Sequence, residues 1–591
     1  MENLEKLYAK PLPSSRAGAL YNAFSYPTKI SPEAIAIYIA CTTKPGDTVL
    51  DAFAGSGSTG IAALLCEHPT QQMYDIAESL GVYPEWGARN AVLYEIGTYA
   101  SFAIKTLLNR LPAHEYRNAV SSFTKKAIRI VGNAYTVLDP ENNKGTLRYA
   151  IWSEILKCPS CGKESSYFNL AMDRNPAAFK KVVKCPHCGK AHDVEKMSFA
   201  TEDYYDPILN RTITRKKRIP AWIYGTTAGQ NWDRAACPED MCLHQCEKLL
   251  RYHTDAKEIK WGELHRSGYH YGISHLHHFY TQRNYLVMSV LWRLTESFPK
   301  RQADALKLLL LSYNATHCTL MTRVVAKKNA KDFALTGAQS GVLYISKAPV
   351  EKNILLGLQR KAKAFAEAYA MLEKCSGSVL VHNKSSAHMQ EPDGSIDYVF
   401  TDPPFGDFIP YAEVNQINEL WLGTVTDRTD EVIISGSQGK NIVTYQEMLT
   451  AVFKEVYRTL KPQGYASVVF HAAKAKIWGT FSNSINDSGF HIAFSNILDK
   501  TQASFKQVVS EGSVRGDPLF LLKKAANKEG GYLSDTEILD KIIQDNATDE
   551  NFDMRRCYSM YVYTCLEQRI TVTMDAKQVY DYYTFKKGIQ A

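Results

Sequence analysis

Apolar positions along the chain follow two textures. Near the start and again in the last third, short apolar runs alternate with helical stretches, the order expected of an α/β sheet. Ser31 suits a helix N-cap and Pro32 the first helical position, so a helix is expected to run to about Thr42. After the turn Lys44-Pro45-Gly46-Asp47 come a short strand, Thr48-Val49-Leu50, a glycine-rich loop, and the apolar run Ile61 to Leu65. Ala91-Val92-Leu93-Tyr94 reads as the next strand, with His68 to Gly87 as an insertion before it. Helical patterns dominate the middle: Tyr285 to Trp292, which the segment Phe279 to Asn284 leads into, then Ala305 to Leu311 and Leu355 to Leu372. Strand runs then return at Val379 to His382, Ile396 to Phe400 and Tyr465 to Phe470. A helix with one apolar face (Met448, Leu449, Val452, Phe453, Val456, Leu460) ends at Lys461-Pro462-Gln463-Gly464. Phe490 to Phe494 and Pro518 to Leu522 close the series, and a tyrosine-rich, mostly helical segment follows Lys524.

Two loops carry candidate chemistry. In Asp51-Ala52-Phe53-Ala54-Gly55-Ser56-Gly57-Ser58-Thr59-Gly60 the glycines let a ligand approach the backbone at the carboxyl edge of a sheet, where open α/β folds bind cofactors. A tight turn needing glycine for steric reasons is the other reading. Glu95, after the second strand, is placed to hold the two hydroxyls of a ribose, with a surface carboxylate as its competing reading. The second loop is Asp402-Pro403-Pro404-Phe405. An exocyclic amine on adenine or cytosine is a poor nucleophile, because its lone pair is delocalised into the ring. The Asp402 carboxylate and the Pro403 carbonyl can each accept one amine hydrogen, and the prolines restrict the backbone that holds them. Phe405 offers a face for stacking, worth roughly 1–3 kcal/mol per base. A strand end followed by a proline-rich turn accounts for the same four residues.

At 591 residues the chain exceeds one compact core. Its formal charge of +8 suits a polyanionic partner but is equally that of a solvated surface. No apolar run nears the roughly 20 residues of a membrane span, and the first residues lack a signal-peptide layout, so a cytoplasmic protein is expected. Cys158-Pro159-Ser160-Cys161-Gly162 and Cys185-Pro186-His187-Cys188-Gly189 are near-identical knuckles that can close a tetrahedral, structural zinc site. His192 could compete as a ligand. Cys237, Cys242 and Cys246 read as core or free thiols, and the four histidines between Tyr269 and Phe279 lack zinc-type spacing. The basic run ending Arg215-Lys216-Lys217-Arg218, followed by Trp222, Tyr224 and Trp232, is either a phosphate-neutralising stretch or a solvated loop.

Taken together, the Asp51–Thr59 loop and Thr401-Asp402-Pro403-Pro404-Phe405 resemble motifs I and IV of the S-adenosylmethionine-dependent amino-methyltransferases. Tyr26 to Pro32 is similar to their motif X. The knuckles with Phe279-Tyr280-Thr281-Gln282-Arg283 resemble a narrower group, the zinc-ribbon-containing adenine-specific DNA methylases. The resemblance implies an α/β, Rossmann-like sheet with a final antiparallel strand, a zinc-ribbon insertion and a small helical C-terminal appendage. The corresponding domains are 1–125 (cofactor-binding half), 126–372 (ribbon and helical target recognition), 373–525 (second catalytic half) and 526–591 (appendage). It implies that Tyr26, Pro27, Thr28, Lys29, Asp51, Ala52, Phe53, Gly55, Ser56, Gly57, Thr59, Glu95 and Thr401 hold S-adenosylmethionine. Asp402, Pro403, Pro404 and Phe405 would bind the target amine; Arg215, Lys216, Lys217, Arg218 and Arg283 would meet nucleic acid. Aspartate at the head of the tetrapeptide favours adenine. Phe405 stands where tyrosine is commoner, and Asn383-Lys384-Ser385-Ser386 where an acid is frequent. The implied activity is N6-adenine methylation of flipped bases in DNA, in a restriction or phage-defence setting with possible partner chains. RNA methylation and a DNA-binding subunit without turnover are the alternatives.

Overall fold

The computed structural model describes residues 2–9, 12–14, 18–24, 26–241, 244–253, 255–328, 330–407, 409–500, 517–524, 533–547 and 552–588. Cys242, residues 526–532, 548–551 and 589–591 of the expected appendage, and residue 525 lie outside them. Eight strands form the principal sheet: β1 (Leu12–Ser14), β2 (Thr48–Asp51), β3 (Asn90–Tyr94), β4 (Val379–His382), β5 (Ile396–Thr401), β6 (Leu460–Val469), β7 (Phe490–Lys500) and β8 (Asp517–Lys524). Their spatial order is β1-β7-β8-β6-β5-β2-β3-β4, with β8 antiparallel to both neighbours and the other pairs parallel. The sheet reverses direction of growth between β2 and β5, which leave opposite ways. Open α/β sheets bind ligands at the carboxyl ends of strands flanking such a point.

Strand alternation, interrupted by an irregularity between Ile396 and Tyr398, divides the core. Val49, Ala91, Leu93, Tyr398 and Phe400 face one apolar cluster, while Leu50, Val92, Tyr94, Ile396 and Val399 face the other. Helices α1 (Pro32–Thr42) and α2 (Ser58–Leu65) cover the first face. The stretch read as an insertion before β3 holds a helix, Gln71–Leu80, whose Ile76 and Leu80 join that face. On the second face lie α4 (Ile442–Thr459) and three C-terminal helices: α5 (Asp535–Asp545), α6 (Met554–Glu567) and α7 (Ala576–Lys586). The C-terminal segment thus shares the sheet's own core. A further helix, α3 (Tyr411–Leu422), follows the β5 turn.

Residues between β3 and β4 build a second unit around a 14-residue strand, Lys144–Lys157, which pairs antiparallel with Arg218–Thr227 and with Val350–Lys352. Helices Ala113–Val131, Gln282–Thr295, Lys300–Tyr313 and Ile354–Leu372 pack beside it and join the first core cluster through Phe123, Leu286, Leu308 and Phe365. Thr281 caps the second of these, its side chain accepting from the Asn284 amide.

Candidate active site and metal centre

The two candidate loops meet. β2 ends at Asp51 and β5 at Thr401, and the strands are adjacent, with Leu50 opposite Val399. The Thr401 hydroxyl donates to Asp51 Oδ1 (2.8 Å), the Thr59 hydroxyl to Asp51 Oδ2 (2.7 Å), and the Phe53 amide to Asp51 Oδ1 (3.0 Å). One buried carboxylate therefore ties the end of β5 to both sides of the glycine loop. Burial pushes the Asp51 carboxyl up to about 6, against the pull of those three donors.

Gly55 and Gly57 have φ of +49° and +72°, a region that suits glycine. A Cβ on Gly57 would stand 2.9 Å from Ile104, and one on Gly55 3.0 Å from the Tyr26 ring. The loop amides turn inward: Glu95 accepts from Gly55 N (2.7 Å) and Gly97 N (2.6 Å). Burial pushes Glu95 up to about 8, its two amide donors opposing and the charges of Asp51 and Glu419 adding.

Opposite the loop, the Tyr26 ring stacks on Tyr411 of α3 at 5.8 Å, and the Thr28 and Tyr411 hydroxyls are 3.1 Å apart. Ser58 Oγ donates to Ile30 O (2.9 Å), fastening the Tyr26–Ile30 segment to α2. Lys29 points inward, its ammonium donating to the carbonyls of Leu20 (3.0 Å) and Tyr21 (2.9 Å). Burial, reinforced by Lys361, brings its pKa down to about 7.

These parts enclose one cavity. Tyr26, Pro27, Thr28, Lys29, Asp51, Ala52, Phe53, Gly55, Ser56, Thr59, Glu95, Asp402 and Pro404 all line it; Gly57, Thr401, Pro403 and Phe405 do not. Phe405 turns its ring to Phe470 (5.5 Å, edge-on) and His471 (6.0 Å). The Pro404 carbonyl accepts from the Tyr445 hydroxyl at 2.6 Å. Lys384, Ser385 and Ser386, at the place where an acid is frequent, line the cavity, as do Tyr411, Asn415 and Glu431, which were not anticipated from the sequence. The departure at Asn383 has a structural use, since its amide donates to the carbonyls of Glu95 (2.8 Å) and Ile96 (3.0 Å), joining the ends of β3 and β4. A signal for α3 existed in Pro410 before an amphipathic stretch, but nothing local marks Tyr411 as facing a site. Asp402, Asp430 and Glu431 also stand on the wall, with Lys384.

The wall next to Phe405 is held from two directions. Lys474 pairs with Asp407 at 3.2 Å, just past the tetrapeptide. The loop His471–Lys474 is in turn held by the C-terminal helices: Asp575 accepts from the Ala475 amide, the Ala576 amide donates to Ala473 O (3.1 Å), and the Tyr558 hydroxyl reaches Ala472 O (3.5 Å). Asp575 thus caps helix Ala475–Asp487 from another element. The insertion docks on the site through α3: Glu413 accepts from the amides of Gly262 (2.7 Å) and Leu264 (3.1 Å), and Gln416 from that of Lys260 (3.0 Å).

In the insertion, Cys158, Cys161, Cys185 and Cys188 converge, with all four sulfurs within 4.8 Å of one another. Cys158–Cys188 and Cys161–Cys185 are each 3.8 Å apart. Four thiolates at a Zn–S distance of about 2.3 Å on a tetrahedron lie about 3.8 Å apart, so this set can hold zinc. Both knuckles turn alike: Gly162 donates to Cys158 O and Gly189 to Cys185 O, each at 2.9 Å, with φ of +70° and +71°. His192 Nε2 lies 3.4 Å from Cys158 Sγ. A second cluster joins Asp206, His277 and His278. Both Nε2 atoms sit 2.8–2.9 Å from Asp206 Oδ2, and His278 Nδ1 accepts from the Ser274 amide (3.1 Å). That acceptor role leaves the His278 proton on Nε2, so this group is a hydrogen-bonded clamp; a metal-ligating histidine donates from its other nitrogen.

The basic run has acidic partners of its own. Lys216, buried, and Arg218 both pair with Glu154 (3.1 and 2.8 Å), Arg215 with Glu202 (2.9 Å) and Lys217 with Glu164 (2.8 Å). Arg283 is buried, donating to Asp240 O at 3.1 Å and facing Glu351. Lys216 and Arg283 stand inside the protein rather than on a nucleic-acid-binding surface, and Arg215, Lys217 and Arg218 are already neutralised. Cys246 is buried and Cys237 exposed beside Asp240.

The fold and site define an α/β protein with an open sheet and a cofactor-type loop at its switch point. Residues 3–70, the segment carrying α1, β2 and the glycine loop, match a family model described as DNA methylase. Among solved structures, a SAM-dependent methyltransferase from Methanosarcina mazei is 13% identical, over 28% of this chain and 79% of that one, with a TM-score of 0.16. No curated protein matches the chain. Among the described residues no helix is long and apolar enough to cross a membrane.

Proposed function

We propose that the protein is an S-adenosylmethionine-dependent DNA methyltransferase acting on the exocyclic amine of adenine. The observation that carries this is the Thr401–Asp51 hydrogen bond, which puts the glycine loop and Asp402 on one cavity. The match of residues 3–70 to DNA methylases supports the class. Asp402 at the head of the tetrapeptide, on the cavity wall, supports an amine substrate.

The residues present fit the cofactor: the Gly55 backbone lies open where a side chain would crowd Tyr26, and Glu95 can accept from ribose hydroxyls. S-adenosylmethionine, when bound, supplies a methyl group on a sulfonium, ready for direct displacement. Asp402 accepts one hydrogen of the target amine and draws the nitrogen lone pair out of the ring. The Pro403 carbonyl, between the two wall residues Asp402 and Pro404 though not itself on the wall, would accept the other. Pro404, fixed through the Tyr445 hydroxyl, keeps both acceptors in place. Zinc on the four cysteines has a structural role, since all four protein ligands close the tetrahedron.

The test is methyl transfer from radiolabelled cofactor to unmethylated genomic DNA, with digestion to nucleosides to identify the product. Asp402→Ala is expected to bind S-adenosylhomocysteine as the wild type does and to lose transfer by about 10²-fold or more. Wild-type rates in that variant, or a product other than N6-methyladenine, would overturn the assignment.

A further inference from the structure

With Arg215, Lys216, Arg218 and Arg283 paired internally, the insertion needs another surface to meet a polyanion. We propose that duplex DNA is held, through its phosphate backbone, by a lysine-rich end of the insertion made of Lys181 and Lys184 on the ribbon and Lys327, Lys328 and Lys331 on the adjoining hairpin. The proposal rests on DNA being the substrate.

Strand Val182–Lys184 pairs with Ala191–Asp193, and its alternation buries Val183 while exposing Val182 and Lys184. Lys181 precedes it, also exposed. The hairpin of Arg323–Val325 and Ala334–Thr336 brings its turn against the same region. The Ala177 amide donates to Ala330 O (3.0 Å), and the Phe179 and Phe333 rings are 4.9 Å apart. Two lysine runs about 150 positions apart by the chain's own numbering are thereby brought to one end of the unit. All five lysines are exposed, and none makes an ion pair among the described residues.

Of the nearby acids, Asp193, opposite Val182, is a counter-charge outnumbered by the five lysines, while Glu195 is paired with Lys347. Asp332 is taken by Arg174 (2.9 Å) and by the Tyr224 hydroxyl (2.7 Å), and Asp173 by Lys180 (2.7 Å). Flexible ammonium groups without fixed partners suit sequence-independent phosphate contacts, which position a duplex and leave base reading to other groups. Exposed Phe179 and Val182 add apolar surface between the two runs.

Binding of a short fluorescein-labelled duplex to the full-length protein, followed by anisotropy at several salt concentrations, tests this. Each phosphate contact contributes about −0.9 to the slope of log affinity against log salt. The variant K181Q, K184Q, K327Q, K328Q, K331Q is expected to keep its melting temperature and to flatten the slope by about 3 to 4. The control R215Q, K217Q is expected to change it by less than about 1. An unchanged slope in the five-site variant overturns the proposal, as does a larger loss in the control. Tighter binding of single-stranded RNA than of duplex at equal salt overturns the choice of DNA. Methyl transfer at low salt, measured on the same preparations, separates the two readings. Transfer with an unaltered slope sinks the lysine surface alone; a flattened slope without transfer upholds the surface and sinks the reaction.

Discussion

Glu95 carries the clearest consequence at the scale of one residue. Its carboxyl is pushed up to about 8, chiefly by burial. An unfolded chain gives up that proton in the ordinary glutamate range, near 4.3. Between those values the folded state holds the extra proton, so stability is full below the lower value and is lost as pH rises through the upper. The melting temperature of cofactor-free protein is expected to fall between about pH 5 and pH 8, and to fall less in Glu95→Gln. Cofactor affinity should run the other way, since ribose hydroxyls donate best to a carboxylate. Calorimetry with S-adenosylhomocysteine is expected to show affinity rising to a plateau above about pH 8; a profile flat across that range would count against Glu95 as the ribose acceptor. The position of Glu95 after β3 was readable from strand pattern alone. Its protonation was not, because the burial that raises it, and the charges of Asp51 and Glu419 that add to it, exist only once the fold is assembled.

Elements show the same division between local and assembled information. The β2–loop–α2 unit was legible because its determinants are contiguous: a β run, two glycines at positive φ, and an apolar helix. The pairing of the basic run was not legible for the opposite reason, as Glu154, Glu164 and Glu202 reach it from other strands. The C-terminal helices had no chemistry to read, yet α7 and α6 brace the His471–Lys474 loop beside Phe405. Asp575→Ala is expected to lower kcat about tenfold with KM for cofactor unchanged, an effect on placement of catalytic groups. Asp575→Asn keeps an acceptor for the Ala475 amide and should restore most of the rate. Equal loss in both variants, or a rise in cofactor KM, would argue against bracing.

Across the whole molecule, the insertion touches the site through α3 while its four-cysteine cluster shares no residue with the cavity wall. Chelation should therefore release zinc and loosen the knuckles, raising hydrogen exchange across residues 158–193, while S-adenosylhomocysteine binding changes less than about threefold. Loss of cofactor binding on chelation would contradict that separation. The joining of Asp51 to Thr401 also has a temporal side, for these partners are 350 positions apart. Ribosomes add about 5–20 residues per second, so β2 waits roughly 20 to 70 s for β5 to be made. Throughout that interval β2 lacks the neighbour that covers one of its edges in the finished sheet, and an open strand edge is a template for pairing with the wrong chain.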